Sequence, residues 1–285
     1  MVIRRFTQND LHAITQMDSF AALQIRRHGG LKPENIYCTI DGGRLTGFGF
    51  LILNYGIARK GRHIVDFYIN LGIKSTEKES SDIMDVLISR FDEIKNLEPE
   101  QHMCLRICCG ADEVRGIQFF LDKKFILSGV IPVFARSLSD DIPLYSPPNG
   151  VSIQELRLTS QNMEMYLGAD FISSEDLSSE AAVWFQINNP SHICNAAFYK
   201  KKLIGAVSFY DTISNKSACE NIFVIPEFRK SGVGKALLSA SLNTFKALDK
   251  KQTSMSLPGK NLPALRLCLS CGYSLDYNLL ELLYQ

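Results

Sequence analysis

The sequence predicts two tandem copies of one α/β unit. Three observations predict it: a loop-like stretch at the middle, the same order of strand and helix signals on either side, and helices whose apolar positions keep step. The middle stretch runs from Leu138 to Gly150, LSDDIPLYSPPNG, with three prolines, two aspartates and a closing Asn-Gly. This is loop chemistry. It divides the chain into residues 1–138, a linker at 139–150, and residues 151–285.

Each half opens on a short strand, Ile3 to Thr7 and Val151 to Leu156, followed by polar helix-forming sequence. A hairpin comes next. In the first half it is Tyr37 to Ile40, the turn Asp41-Gly42-Gly43-Arg44, then Leu45 to Leu53. In the second it is Ala196 to Tyr199, the turn Lys200-Lys201-Lys202, then Leu203 to Tyr210. Asp-Gly and short polar turns between β-rich runs predict hairpins. A further strand leads into a helix, with His63–Leu71 set against Ala218–Pro226. The helices then align Ile83, Met84, Leu87, Ile88, Phe91 and Ile94 with Leu237, Leu238, Ser241, Leu242, Phe245 and Leu248. Both sets are spaced as one helix face. The closing strand and helix, HMCLRICC with VRGIQFFLDKKF, parallel QTSMSLPG with LPALRLCLSCGY.

The 285 residues, 46% hydrophobic and 21% charged, suffice for two cores. A net charge of +1 and a pI near 7.5 call for neither nucleic acid nor an anionic membrane. There is no apolar run of the roughly 18 residues that a membrane span needs, and the N-terminus has no apolar signal core. The eight cysteines read as reduced thiols of a cytoplasmic protein, since disulfide frameworks belong to small secreted chains. Cys268 and Cys271 form a C-x-x-C, but within a helical pattern and without a second pair, which favours packing over metal. The five histidines show no metal spacing, and no metal is expected. Trp184 reads as a core or pocket-wall residue of the second half. Arg26-Arg27-His28 reads as a solvated helix end.

The segment that speaks to chemistry is Glu220 to Leu238, ENIFVIPEFRKSGVGKALL. A β-rich run stops at Pro226, which cannot continue a ladder. Arg229 to Gly234 then leads directly into an amphipathic helix. A glycine-bearing loop at a helix N-terminus offers backbone N–H groups and the positive end of the dipole to an anion. Two other phosphate motifs are excluded. A Walker loop needs a glycine where Arg229 stands and Ser or Thr where Ala236 stands. A dinucleotide fingerprint needs a glycine at Leu237.

What fits is R/Q-x-x-G-x-G/A, and the segment resembles the general control-related N-acetyltransferase (GNAT) superfamily. A second signature follows: NLPALRLCLSCGY resembles N-x-x-A-x-x-L-Y-x-x-x-G-F, with Asn261, Ala264, Leu267, Gly272 and Tyr273 in place. The resemblance covers about ninety residues of the second half. It implies an α+β fold of two tandem GNAT-like domains, each a mixed, mostly antiparallel twisted sheet flanked by helices. It implies acetyl-CoA as co-substrate. Its pyrophosphate would lie on Arg229, Lys230, Ser231, Gly232, Val233, Gly234 and Lys235. The pantetheine arm would lie along Phe223, Val224 and Ile225 and against Asn261. The acceptor is a primary amine, of a small molecule or alternatively of a protein, attacking the thioester directly near the Val224 backbone. A CoA-binding protein without catalysis is the other alternative, and the chain is expected as a monomer or homodimer.

Two positions are chemically open. Cys268 stands where many relatives have a tyrosine that protonates the departing thiolate. It either donates a proton or packs as a small hydrophobe, and packing is the commoner use of a free cysteine. Tyr273, Tyr277 or water would then supply the proton. Glu220 matches a glutamate found there in several family members. Two-residue alternation groups it with Ile222 and Val224, so it is either the general base or a solvated strand-edge carboxylate. Asp170, Glu175, Asp176 and Asp211 are further carboxylates for the acceptor side. In the first half, NLGIKSTEKESSDIMDVLI puts Glu77, Glu79 and Asp82 where the second half has glycines. Carboxylates repel a pyrophosphate, and Lys124 replaces the helix-stop glycine. The first copy therefore reads as degenerate and non-catalytic.

Overall fold

A computed structural model of the chain describes residues 1–59, 62–71, 77–173, 180–211, 216–257 and 261–285; the side chains of 54–59, 62, 63, 67, 69–71, 77, 181, 211 and 220 lie outside that description. Among the described residues each half builds the same series of strands and helices. The first half gives β1 (Val2–Arg5), α1 (Leu11–Met17), α2 (Ser19–Arg27), β2 (Ile36–Asp41), β3 (Arg44–Arg59), β4 (Arg62–Leu71), α3 (Glu77–Leu97), β5 (Met103–Gly110), α4 (Val114–Asp122) and β6 (Ile126–Ser137). The second gives β7 (Val151–Glu155), α5 (Met163–Ser173), α6 (Glu180–Asn188), β8 (His192–Tyr199), β9 (Lys202–Asp211), β10 (Lys216–Val224), α7 (Val233–Ala247), β11 (Gln252–Ser256), α8 (Leu262–Ser270) and β12 (Ser274–Tyr284).

The hairpins form where the turn residues put them. Gly42 and Gly43 take φ of 53° and 78° between the paired Asp41 and Arg44, a two-residue turn that needs left-handed backbone. Lys200 and Lys201 adopt the same conformation, φ 47° and 68°, without glycine's freedom. The last helix of each copy ends alike. Lys124 (φ 68°) and Gly272 (φ 80°) hold the left-handed stop. In each copy the stop residue bonds three residues back and the next residue five back: Lys124 to Leu121 and Phe125 to Phe120, Gly272 to Leu269 and Tyr273 to Cys268.

Strand register corrects the alignment of the copies. β4 pairs in parallel with β5 over four rungs, His63↔Met103 to Asp66↔Arg106, and β10 with β11 over four, Lys216↔Gln252 to Cys219↔Met255. Leu71 lies opposite Gly47, and Val224 opposite Gly205, at matching places in β3 and β9. So β4 residues 63–71 correspond to 216–224, two positions earlier than hydrophobic matching suggests.

Contacts divide the chain into two units that are not the two halves of the sequence. The first unit is Met1–Ile107 with Ser179–Asn188 and Leu283–Gln285; the second is Cys108–Ser178 with Asn189–Leu282. In the first unit α6 joins elements of the first half: Phe185 lies 5.6 Å from the His28 ring, and Arg27 Nη1 donates to Asn188 O at 2.5 Å. Trp184 therefore sits in the first unit, half-buried, with its Nε1 donating to Glu180 of its own helix at 3.3 Å. Arg27 and His28 are engaged as well, so Arg26-Arg27-His28 is more than a solvated end. Phe48, Phe50 and Tyr68 stack at the centre of this unit, and α3 buries Ile83, Met84, Leu87, Phe91 and Ile94.

In the second unit the strand order is β12-β6-β11-β10-β9-β8-β7. β6, the last strand of the first half, pairs antiparallel with β11 (Ser137↔Gln252 to Val133↔Ser256). α5 and α7 cover opposite faces of this sheet. On one, Tyr166 of α5 reaches Phe223 and Ser208; on the other, Phe245 of α7 packs 4.7 Å from Phe209. Segment 139–150 is strapped down rather than free. Ser239 of α7 donates to Pro143 O at 2.7 Å, and the Tyr145 hydroxyl donates to Ser270 O at 3.1 Å.

Arg136 of β6 fastens strand, strap and helix end. It is 5% exposed and donates to Cys271 O at the end of α8 and to Asp141 O of the strap. A Cβ on Gly272 would fall 1.6 Å from Arg136 Nη1. Gly272→Ala therefore meets two penalties, a left-handed backbone and displacement of a buried guanidinium from two carbonyls. The expected loss is about 3 kcal/mol by chemical denaturation. In an Arg136→Met background the second penalty is gone, and the same change costs only about 1 kcal/mol. Equal losses in both backgrounds contradict the wedge.

Candidate functional site

The site is built where β10 leaves β11. After Cys219↔Met255 no rung joins them among the described residues. β11 instead stays with β6 on its other edge, where Leu257 N donates to Pro132 O at 3.1 Å. β10 meanwhile remains paired with β9 as far as Val224. Among the described residues its β11-side edge has no strand partner from Ile222 to Val224.

Antiparallel alternation assigns the groups on that edge. Ile225 N–H donates to Ile204 O of β9 at 2.9 Å. Alternate residues share this direction, so Phe223 also addresses β9, while Ile222 and Val224 turn their N–H and C=O to the open edge. The Val224 carbonyl confirms this, because it accepts a bond from Arg229 Nε at 3.0 Å. Unpaired backbone polar groups need partners, and an extended amide-bearing chain supplies them.

Beyond β10, Ile225 enters a 3-10 turn, Pro226–Phe228, and α7 begins at Val233. Gly232 is its N-cap, with φ 99°. No side chain caps this end, so the first-turn N–H groups of a fifteen-residue helix are left to an outside acceptor. The two glycines have different reasons. A Cβ on Gly232 meets nothing within 4 Å, so its backbone angle is what demands glycine. A Cβ on Gly234 would lie 3.0 Å from Leu267, so this residue lets α8 pack on α7. The edge and the helix end are joined by Pro226–Phe228 and the loop 229–232, which gives one path from strand to phosphate-type site.

The other expected residues are placed as follows. Arg229 is a clamp: besides Val224 O it donates to Ser173 O at the end of α5. It adds charge near the loop while two of its five donors hold carbonyls. Lys230 takes φ 60°, and Ser231 Oγ donates to Phe228 O at 2.6 Å. Lys235 Nζ lies 5.0 Å over the Tyr145 ring of the strap. Asn261 caps α8, accepting from Ala264 N at 3.2 Å. Phe223 packs edge-on against Tyr166 at 5.4 Å, and Ile225 is fully buried.

Cys268 is buried, and its Sγ donates to Met255 Sδ at 3.0 Å. Burial pushes the thiol up to about 12. Its contact is with β11. Tyr273 is buried too, its hydroxyl raised by burial and 3.5 Å from Thr253 Oγ1. Tyr277 is 51% exposed.

Glu220 occupies a β-bulge. Cys219 faces Phe209 across the ladder and Asn221 faces Ser208, so Glu220 has no partner in β9. Phe209 lies on the α7 face and Ser208 on the α5 face. Cross-strand partners share a face, so Cys219 and Asn221 are on opposite faces although two residues apart. The alternation that grouped Glu220 with Ile222 and Val224 is therefore interrupted at this residue, and its side chain lies outside the described residues. So do Glu175 and Asp176 and the side chains of Asp211 and Glu77. Asp170 is buried and accepts from Asn221 Nδ2 at 3.1 Å. Among the described residues no three His, Cys, Asp or Glu side chains gather as metal ligands, and no helix is long and apolar enough to cross a membrane.

The second half thus joins an open strand edge to an uncapped, glycine-led helix start. Residues 159–273 match the acetyltransferase (GNAT) family. That match lies within the second half, and the whole chain has the fold of tandem GNAT proteins. A tandem GNAT protein from the clavulanic acid biosynthesis pathway aligns with TM-score 0.71 and 13% identity, over 99% of this chain and 98% of that one. A GCN5-related N-acetyltransferase from Sphaerobacter thermophilus aligns with TM-score 0.70 and 13% identity, over 99% and 95%. One from Anabaena variabilis gives TM-score 0.63 and 11% identity, over 99% and 72%. No curated protein matches the sequence significantly.

If Cys268 only packs, Cys268→Ala lowers stability by about 1 kcal/mol and leaves turnover within about threefold of wild type. A stable variant that has lost a hundredfold or more in kcat contradicts the packing role.

Proposed function

We propose that the chain transfers an acetyl group from acetyl-CoA to a primary amine of a small molecule, by direct attack on the thioester, at one site in the second half. The observation that supports this most strongly is the continuity of the open β10 edge with the uncapped start of α7. The fit to acetyl-CoA is chemical. Ile222 and Val224 present backbone donors and acceptors to an amide-bearing arm, and the Gly232 to Lys235 N–H groups present donors and a helix dipole to a diphosphate. Lys230 and Lys235 add charge.

In this reading the Ile222 or Val224 N–H receives the carbonyl oxygen as it gains negative charge, a preorganised donor at no reorganisation cost. Glu220 takes the proton of the incoming amine, directly or through water. The leaving thiolate needs no acid from Cys268, whose hydrogen is directed at Met255. The first half has Glu79 and Asp82 in the opening turns of α3, and we assign it a supporting role. The free thiols support a cytoplasmic setting.

Purified protein given acetyl-CoA and a panel of amines is expected to release free thiol, and calorimetry to find one CoA site per chain. Release only with peptides ending in a free amine would favour a protein acceptor. Tight CoA binding without turnover on any amine would favour a regulatory role, and two equivalent sites would sink the inert first half. Gly232→Asp places a carboxylate against the diphosphate on a strained backbone. It is expected to weaken CoA binding by more than about tenfold, or about 1.4 kcal/mol, in a folded protein. Glu220→Gln is expected to lower kcat by about 10²–10⁴-fold, partly recovered as pH rises and the amine deprotonates by itself. Full activity across the pH profile removes Glu220 as base.

A further inference from the structure

Asp170 lies within α5 with 3% of its surface exposed, and the proposed chemistry makes no use of a carboxylate at that depth. It binds the strand on which the site is built. Its Oδ1 accepts from Asn221 Nδ2 at 3.1 Å. Asn221 is the first residue after the bulge and stands opposite Ser208. The Tyr166 hydroxyl, one helical turn before Asp170, lies 3.0 Å from Ser208 Oγ and also bonds the Asn221 side chain. Two residues further along β10, Phe223 meets the Tyr166 ring. α5 thus grips Asn221 and Phe223, the residues on either side of Ile222.

The first copy shows what this acid does when no site is present. Asp18 matches Asp170, each four residues after a fully buried helix residue, Ile14 and Tyr166. Asp18 Oδ2 accepts from the Tyr68 hydroxyl, and Tyr68 holds the β4 position that Asn221 holds in β10. But Asp18 also caps α2, accepting from Ala21 N at 2.8 Å. α5 runs unbroken through Asp170, so capping no longer explains the carboxylate. β4 keeps an uninterrupted register with β3 from Leu71 back to Ile64. Over the matching stretch of described residues β10 has a bulge to hold and β4 has none.

We propose that Asp170 is a positioning residue for acyl transfer: through Asn221 it locks the register of β10 beyond the bulge and so keeps the Ile222 and Val224 N–H groups on the open edge. The inference rests on the acyltransferase reading above. A bulge has an obvious competitor, a one-residue slip that sets Glu220 opposite Ser208 and restores even pairing. Such a slip sends every residue from Asn221 to Val224 to the other face. It also turns the N–H groups at 222 and 224 towards β9, where no thioester can reach them. The Asp170–Asn221 bond and the Tyr166–Phe223 contact exist only in the bulged register.

Asp170→Leu removes the acceptor, Asn221→Val breaks the same bond from the strand, and Asp170→Asn keeps an acceptor oxygen without the charge. Asp170→Leu is expected to lower kcat about a hundredfold, with CoA affinity within about threefold of wild type. Amide hydrogen exchange at Ile222 to Val224 is expected to speed up about tenfold while that of α7 is unchanged. Asn221→Val reproduces both effects and decides the matter should the leucine variant not fold. Asp170→Asn stays within about fivefold of wild type in both readouts. Unchanged β10 exchange in Asp170→Leu or Asn221→Val overturns the proposal. So does an Asp170→Asn variant as inactive as the leucine one, because the charge itself would then act in the chemistry. Exchange needs no turnover, so a wild-type chain that acylates no amine would sink the acyltransferase reading while the register lock is still decided.

Discussion

The parting of β10 from β11 after Cys219↔Met255 is the constraint on which the site depends. A parallel pair that continued would consume the Ile222 and Val224 backbone groups and leave nothing to bind. The parting is held from both sides. β11 is kept by its ladder to β6, and β10 by β9, by the Arg229 clamp on Val224 O and by α5 on its face. Unpaired strand edges are a liability in a soluble protein, so one held open this way argues for a ligand that completes it.

The two copies separate what belongs to the fold from what belongs to the site. Both have the four-rung parallel ladder, the glycine at Gly47 or Gly205, the acid at Asp18 or Asp170 and the left-handed helix stop at Lys124 or Gly272. The last rung differs. In the first copy Asp66 and Arg106 close it with an ion pair of 2.6 Å; in the second it is the apolar Cys219 and Met255. The glycine-led helix start and the bulge at Glu220 belong to the second copy alone among the described residues.

Much of this was legible in the sequence, and the limits are physical. Hairpins were legible because Asp-Gly-Gly leaves one cheap way to turn. Helix faces were legible because Ile83 to Ile94 and Leu237 to Phe245 repeat at helical spacing. The GNAT resemblance of the second half was legible because Pro226, Arg229, Gly232 and Gly234 each answer a backbone demand. Strand partners were not, because a sequence says that β6 is a strand and not that it lies beside β11. Nor was the offset of two between β4 and β10, since Ile and Val match one another at several registers. A bulge leaves no mark in composition, so simple alternation did not foresee the register shift at Glu220. The Arg229 signature suggested a phosphate ligand, and its side chain also bonds two carbonyls that only the fold brings near.

The central claim is that one open edge and one helix end form a single binding path. Amide hydrogen exchange of the wild-type protein with and without CoA tests it most directly. Added CoA should slow exchange at Ile222 and Val224 and at Gly232 to Lys235 together, and leave Arg62–Leu71 and the start of α3 unchanged. Protection confined to the first half, or protection at the helix start with none on the β10 edge, would contradict it.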